Sequence, residues 1–392
     1  MPKKETFDMM PTTVKLCRIV GFLDRDVAGD TRQRAVVVIS GITVFMTIPN
    51  LIYLIRKEKS LERTFRVVIE SIAMVSIVFR MMFHYINRDG MQACYDDVRS
   101  VFNEYVNSPV AEVQKTLKHL YKSAEFLVKF YLYGVMSQAV SFGLIQAVIT
   151  TVKYFVNGHV EQFPAPVIEA DHFFFAYDSS FWIWLPVMAN ALIWQYYLVV
   201  ILMANECLHW NLLHHVSCLF KIMRLEILQA NDVRDSSSFR AKIIRIIRIQ
   251  NVCYKSAGHL EDSLSPVMVL LYCSCILQAC IGMFVISVVN NFFLIAIMAF
   301  IFQYTTFQIF SFSMLSTELI EASVSLSDAV YSLEWYNRTL EEQKLLQFVH
   351  MRSQKMVAIS AGKFFPMTRT TFAGAMRTVF SYYTLMRQFY DK

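Results

Sequence analysis

Residues 181–207 read FWIWLPVMANALIWQYYLVVILMANEC, and Glu206 is the only charged residue among them. A helix needs about 20 apolar residues to cross the roughly 30 Å hydrocarbon core of a bilayer. Apolar side chains lie all around a helix drawn through this stretch, whereas a surface helix of a soluble protein keeps one polar face. The stretch therefore predicts a transmembrane helix.

Similar apolar stretches occur on both sides of this one. They predict further transmembrane helices at 35–55, 67–86, 126–152, 266–289 and 292–315. A weaker candidate at 365–389 carries three arginines, Arg369, Arg377 and Arg387, and several hydroxyl groups. Because only helices and closed barrels satisfy their backbone hydrogen bonds within lipid, we expect an all-α, polytopic membrane protein with seven transmembrane helices.

The composition of the whole chain agrees with this fold class. Hydrophobic residues make up 55% and charged residues 17%, whereas about a quarter of the residues in soluble domains are charged. The net charge is +6, but the basic residues lie between apolar stretches and form no compact module, so we expect no nucleic-acid partner.

The sequence contains no HExxH, P-loop or GxGxxG motif, and we expect no enzyme activity, metal site or cofactor.

Basic residues indicate the orientation of the chain, because lysine and arginine are enriched in cytoplasmic loops. They are frequent before the first span and between spans 4 and 5, which predicts a cytosolic N-terminus and an extracellular C-terminus; the basic loop at 56–66 disagrees. The predicted divisions are a cytosolic segment (1–34), spans 1–6 (35–315) with helical extensions (87–121 and 209–261), a cytosolic helical segment (316–363) and the last helix (364–392).

Ionisable residues inside the predicted spans include Glu70, Arg80, His84 and Lys129. Such residues are costly in lipid and by default mark interior or functional positions. Glu70 and Arg80, however, lie near opposite ends of span 2. We interpret both as reaching the membrane interface with their charged ends, and interior pairing is the alternative.

The last helix is half polar. Arg377, Ser381, Leu385 and Phe389 fall on one helical stripe, and Gln388 lies beside it. Polar side chains facing lipid are costly, so the helix either borders a water-filled pore or is buried within a closed bundle. An apolar ring at Leu385 would close such a pore by excluding water. The spacing favours neither alternative.

The outer halves of spans 2, 3, 4 and 6 are rich in aromatic residues and methionine. Span 4 begins Phe181-Trp182-Ile183-Trp184, and span 6 carries Phe300, Tyr304 and Phe307 on one stripe. An apolar pocket with few polar groups suits a small volatile molecule. Ordinary packing between helices is the alternative for each of these residues.

Several motifs in the last third of the chain resemble the insect odorant receptor family. The stretches AGKFFPM (361–367) and SYYTLMR (381–387) resemble its C-terminal end, and TEL (317–319) and AVYSLEWY (329–336) resemble its segment after span 6. FRMMF (79–83) with Asn87-Arg88 resembles the end of its second span. The long intracellular insertion of the shared co-receptor is missing, so the chain resembles a ligand-specific subunit of dipteran, mosquito-like type.

The resemblance implies both a function and an assembly. Four subunits surround one pore lined by the seventh helix, and residues 316–363 belong to a cytosolic anchor domain. Ligand-specific subunits and the co-receptor together form an odorant-gated, non-selective cation channel in the plasma membrane of olfactory sensory neuron dendrites. Arg377 and Arg387 depart from the co-receptor pattern; because rings of cations would repel permeant cations, we expect mixed assembly with the co-receptor.

The resemblance also implies two sets of site residues. The pore and gate set is Arg377, Ser381, Leu385, Gln388 and Phe389, with Leu385 at the apolar gate. The odorant-binding set is Ile72, Ala73, Ser76, Ser141, Ile145, Trp184, Met188, Leu192, Phe300, Tyr304 and Phe307.

Three other functions remain as alternatives. Ser381-Tyr382 and Gln388-Phe389 also match the end of gustatory receptors with serine for threonine, which would make the chain a ligand-gated cation channel that assembles alone. A G-protein-coupled receptor would have the opposite orientation and an Asn-Pro pair in its last span, and the sequence contains no Asn-Pro. A transporter commonly has internal repeats, and none is evident here.

Overall fold

The computed structural model describes residues 9–23, 30–55, 61–106, 110–160, 179–288 and 292–390, together with positions 108, 163, 164, 168 and 170. The helices in these ranges are α1 (Pro11–Val20), α2 (Asp30–Ile42), α3 (Ile48–Ile55), α4 (Leu61–Ile86), α5 (Arg88–Tyr105), α6 (Ala111–Ala139), α7 (Ile145–Asn157), α8 (Phe181–Leu228), α9 (Ser236–Val288), α10 (Phe292–Tyr331), α11 (Leu340–Ser353) and α12 (Arg369–Tyr390). π-Helical turns at Thr43–Thr47 and Val140–Leu144 join α2 to α3 and α6 to α7, and Trp335–Asn337 form a 3₁₀ turn.

Three helices are much longer than a bilayer is thick. α8, α9 and α10 contain 48, 53 and 40 residues, which correspond to about 72, 80 and 60 Å at 1.5 Å per residue. Since the hydrocarbon core is only about 30 Å thick, each of these helices extends well beyond it. α8 packs against α1, α6, α9 and α10, and its middle part, residues 198–213, is buried on every side.

Five described helices are long and apolar enough to cross a membrane: Gln33–Ile55, Arg63–Ile86, Phe181–Leu228, Ser236–Ser287 and Met298–Tyr331. The predicted third and seventh spans also form helices, as α6–α7 and α12, but neither belongs to these five. α12 carries three arginines and several hydroxyl groups, which lower its mean hydropathy. The number of seven membrane crossings and the orientation of the chain in the membrane therefore remain predictions.

The start of the last helix was predicted wrongly. We placed it at 364–365, whereas α12 begins at Arg369 and residues 360–366 form a hairpin of β1 (Ser360–Ala361) and β2 (Phe365–Pro366). Gly362 and Lys363 have φ angles of 60° and 61°, values that an α-helix does not include and that the two central residues of a type I′ turn adopt. Proline at 366 also disfavours a helical conformation at Phe365.

The hairpin is fixed to α9 by polar contacts. Glu261 accepts hydrogen bonds from the backbone N–H of Ser360 (2.8 Å) and from its hydroxyl group. The N–H of Gly362 donates to the carbonyl oxygen of Ser265 over 2.8 Å. A Cβ atom at Gly362 would lie 2.4 Å from Cγ2 of Val269. This close contact holds the hairpin directly against α9.

Candidate functional site

A cavity of about 90 Å³ lies between α4, α9 and α10. Each helix turns one face toward it, because the lining residues on each helix are spaced mostly three or four apart. Those residues are Ala73, Ser76, Ile77 and Arg80 of α4, Leu271, Ser274, Cys275 and Gln278 of α9, and Ile301, Tyr304, Thr305 and Gln308 of α10. At 1.5 Å per residue, the lining residues of α4 lie about 18 to 28 Å along this helix from its first residue, Leu61.

A buried ion pair borders this cavity. Nη1 of Arg80 lies 2.5 Å from Oε1 of Glu206 on α8, and the two side chains are only 4% and 1% exposed. A charge taken out of water is costly unless it is paired and hydrogen-bonded. The preferred interpretation of Arg80, that it reaches the membrane interface, is therefore wrong, since Glu206 holds its charge inside the bundle.

Uncharged side chains extend the ion pair through a chain of hydrogen bonds. Nε2 of Gln308 donates to Oε1 of Glu206 over 3.0 Å and to the hydroxyl oxygen of Tyr304 over 2.7 Å. The hydroxyl group of Tyr131 on α6 donates to that of Tyr304 over 3.1 Å. The network joins α4, α6, α8 and α10, so a displacement of any of these helices disturbs hydrogen bonds made by the others.

The predicted odorant-binding residues occupy different places around the bundle. Ala73, Ser76 and Tyr304 line the cavity, and Ile72 is half-buried next to Ala73. Phe307 packs against the ring of Tyr131, with the ring centroids 6.1 Å apart. Ile145 and Phe300 are 47% and 46% exposed on the outside of the chain. The side chain of Ser141 lies outside the described part of the structure.

The other three predicted odorant-binding residues belong to a separate aromatic cluster between α7 and the start of α8. Trp184 and Met188 are buried there, and Leu192 packs against them. The rings of Tyr154 and Phe181 stack with their centroids 4.0 Å apart. The cavity and this cluster are therefore two distinct places in the bundle, whereas the predicted odorant-binding set combines residues of both into one pocket.

The sequence prediction missed the contribution of α9 to the cavity. Ser274 and Gln278 lie four residues apart in an otherwise apolar stretch, and both are buried. Ser274 donates to the carbonyl oxygen of Leu271 over 3.0 Å and lies 3.4 Å from the hydroxyl oxygen of Ser76. Two polar residues on one face of an apolar span are the signal by which the sequence identifies these positions.

α12 packs against the bundle through one face only. Ala375 and Val379 are buried, and Val379 belongs to a cluster with Ala279 and Cys280 of α9. The predicted pore residues on the opposite face are exposed, namely Arg377, Ser381, Leu385 and Gln388. The side chain of Phe389 is outside the described residues. Half of α12 has no cover from the described residues, which argues against a helix buried on all sides within this chain.

A second, larger cavity of about 430 Å³ lies between the end of α10 and α11. Its walls are mostly apolar and include Val330, Trp335, Leu340 and Leu346. On α11 and the residues after it, Val349 is buried, whereas Leu340, Phe348 and Met356 are 68%, 66% and 49% exposed. This region therefore presents large apolar side chains that the described residues leave uncovered.

The known proteins that this chain resembles in sequence are odorant receptors and their coreceptors. A family model described as 7tm Odorant receptor matches residues 60–380. Odorant receptor 67c of Drosophila melanogaster is 27% identical over 195 residues, which are 50% of this chain and 46% of that protein. The odorant receptor coreceptor of Anopheles gambiae is 34% identical over 85 residues, which are 22% of this chain and 18% of the coreceptor.

Solved structures agree at the level of the fold. The olfactory receptor OR5 of Machilis hrabei superposes with a TM-score of 0.83 at 14% identity, covering 96% of each chain. Its structure in complex with eugenol gives a TM-score of 0.79 at 16% identity, covering 97% of each chain. In sequence, the match to Odorant receptor 67c spans less than half of that relative's length. Because the family model covers most of the chain, this protein belongs to the 7tm odorant receptor family of insects.

Proposed function

We propose that this chain is the ligand-binding subunit of an odorant-gated, non-selective cation channel that it forms with the odorant receptor coreceptor in the plasma membrane of olfactory neurons. The observation that carries the proposal is the uncovered polar face of α12. A helix with Arg377, Ser381 and Gln388 on the side that faces away from its own bundle would be unstable in lipid. Water shared with neighbouring subunits removes this cost.

The proposed pore closes at Leu385. Its side chain is 47% exposed on the uncovered face of α12, one turn from Ser381 and close to Gln388. An apolar ring at this depth excludes water and ions when the subunits are close together. Ligand binding favours the open state only by as much as the ligand binds that state more tightly.

The cavity beside the Arg80–Glu206 pair is the proposed ligand site. It is enclosed by α4, α9 and α10, and α9 and α10 also contact α12. A ligand that changes the packing of α9 against α10 therefore acts on helices that hold the proposed pore helix. The structure of OR5 from Machilis hrabei in complex with eugenol supports a small volatile molecule as the ligand.

The coreceptor is the proposed partner for two reasons. The chain shares an 85-residue segment with coreceptors at 34–35% identity, as expected of subunits that use equivalent contacts. In addition, Arg377 and Arg387 would form rings of four positive charges in a homotetramer, and such rings repel permeant cations. A mixed assembly reduces the number of arginines in each ring.

Two-electrode voltage clamp tests the proposal. Oocytes are injected with this chain alone, with the coreceptor alone or with both, and are exposed to volatile ketones, aldehydes, alcohols and phenols, eugenol included. We expect ligand-evoked cation current only from the pair. Robust current from this chain alone would instead support a gustatory-type channel that assembles by itself. Surface expression of both proteins without current for any compound would contradict the proposed function.

A further inference from the structure

Gln278 on α9 is a buried amide for which the described residues provide no hydrogen-bond partner. It is 4% exposed and lines the cavity between α4, α9 and α10. Among the described residues, none forms a hydrogen bond with its side chain, although an amide carries two donors and two acceptor lone pairs. Burying such a group without partners is costly. The cavity is therefore the place where this amide finds its partner.

A second donor faces the same space. The hydroxyl group of Ser274 gives its hydrogen to the carbonyl oxygen of Leu271 over 3.0 Å, so it can only accept from Ser76. The two hydroxyl oxygens lie 3.4 Å apart, well beyond the usual 2.7–2.8 Å of an O–H···O bond. The hydroxyl group of Ser76 is thus weakly engaged and has a hydrogen to donate.

The charge at the cavity is already balanced. Arg80 is paired with Glu206 over 2.5 Å, and Gln308 also donates to that carboxylate. An anionic ligand would leave one uncompensated negative charge inside the bundle, which is strongly unfavourable. Nε of Arg80 also lacks a hydrogen-bond partner among the described residues, but Glu206 already compensates the charge of this side chain. The donors of Gln278 and Ser76 are neutral. They suit a neutral oxygen atom that accepts hydrogen bonds.

We propose that Gln278, assisted by Ser76, binds the oxygen atom of a small neutral ligand, a ketone, aldehyde or alcohol, and thereby determines ligand specificity. The inference rests on the proposed function, since it defines the chemistry of the same ligand site. The cavity is small, at about 90 Å³. It therefore accepts a compact polar group of a few atoms.

A pair of isosteric probes tests the role of the oxygen atom. 2-Butanone and 2-methyl-1-butene differ by a carbonyl oxygen in place of a methylene group, and propanoate adds a negative charge. The full chain is purified with the coreceptor, and binding is followed by the shift in thermal unfolding with probe concentration. Currents are recorded from the same pair. We expect the ketone to bind about three- to tenfold more tightly than the alkene, as one neutral hydrogen bond implies, and propanoate not to bind.

Gln278→Leu should abolish this preference for the ketone, and Ser76→Ala, which changes little volume, should reduce it. Gln303→Leu is the matched control, because Gln303 lies on the exposed side of α10 and should keep the preference. The inference is overturned if wild-type protein does not discriminate, or if Gln278→Leu discriminates like wild type. Discrimination in binding without any current would instead contradict the proposed function alone.

Discussion

Arg80 on α4 and Glu206 on α8 form an ion pair of 2.5 Å between side chains that are almost fully buried. The two residues are 126 positions apart in sequence, so the pair exists only because the two helices are adjacent. Gln308 and Tyr304 extend it to α10. Arg80 also lines the candidate ligand cavity. The pair therefore stabilises the packing of the helices that surround the proposed ligand site.

Removing one member of this pair should destabilise the protein strongly. Arg80→Met leaves Glu206 buried without its partner, which costs about 3–5 kcal/mol. The double variant Arg80→Met/Glu206→Leu should recover most of this loss, because no charge remains. Thermal unfolding in detergent, monitored by fluorescence-detected size-exclusion chromatography, measures both changes. Arg240→Met is the control, since its partner Glu341 is exposed and such a pair contributes about 0–1 kcal/mol. Equal losses for Arg80→Met and Arg240→Met would contradict the structural importance of the buried pair.

Leu385→Ala should raise the basal current severalfold in cells that also express the coreceptor. A smaller side chain widens the proposed apolar constriction and favours its hydration. Met386→Ala is the control, because Met386 packs toward Cys280 and Val379 on the covered face of α12. We expect Met386→Ala to lower surface expression without increasing basal current. If both variants raise basal current equally, loss of helix packing rather than an opened gate explains the effect.

Gly362→Ala should impair folding and ligand-evoked current together. The residue has φ of 60°, and a Cβ atom would lie 2.4 Å from Cγ2 of Val269, so the substitution costs more than about 1 kcal/mol. Gly258→Ala is the matched control within α9, because a Cβ atom there meets nothing within 4 Å. That change should stabilise the helix by roughly 0.5–1 kcal/mol. Thermal unfolding and voltage clamp compare the two variants, and a tolerated Gly362→Ala would disprove the tight contact with α9.

Phe348→Asp should weaken assembly with the coreceptor. The side chain is 66% exposed on α11, outside the five helices that are apolar enough to cross a membrane. An apolar surface of this kind is stabilised by a partner, and a carboxylate within the interface is costly. Co-purification with a tagged coreceptor measures the loss. Lys344→Asp provides a control for added negative charge on the same helix, and equal co-purification of wild type and Phe348→Asp would remove α11 from the proposed interface.

The helical membrane fold was predictable because apolar length is a local property. Stretches such as 181–207 exceed the lipid thickness by themselves, and the structure forms helices at every predicted span. The hairpin at 360–366 was not predicted, because its turn depends on positive φ at Gly362 and Lys363 and on contacts with Ser265 and Glu261 of α9. Local sequence carries little information on such distant contacts.

The candidate site was predicted only in part. Ser76 and Tyr304 line the cavity, whereas Trp184 and Met188 lie in a different cluster. Helical spacing shows which residues share a face of one helix, but it does not show which neighbouring helix that face meets. Gln278 escaped notice for this reason: its position on α9 is evident, but its role depends on α4 and α10.

Hydropathy and the C-terminal motifs are properties of consecutive residues, so they identify a helical membrane protein of the odorant receptor type without any knowledge of tertiary contacts. The packing of the helices was needed to show that Arg80 is paired inside the bundle, that Gln278 faces a cavity and that one side of α12 is not covered by the described residues. Burial, pairing and exposure depend on the arrangement of helices, in which residues more than a hundred positions apart become neighbours.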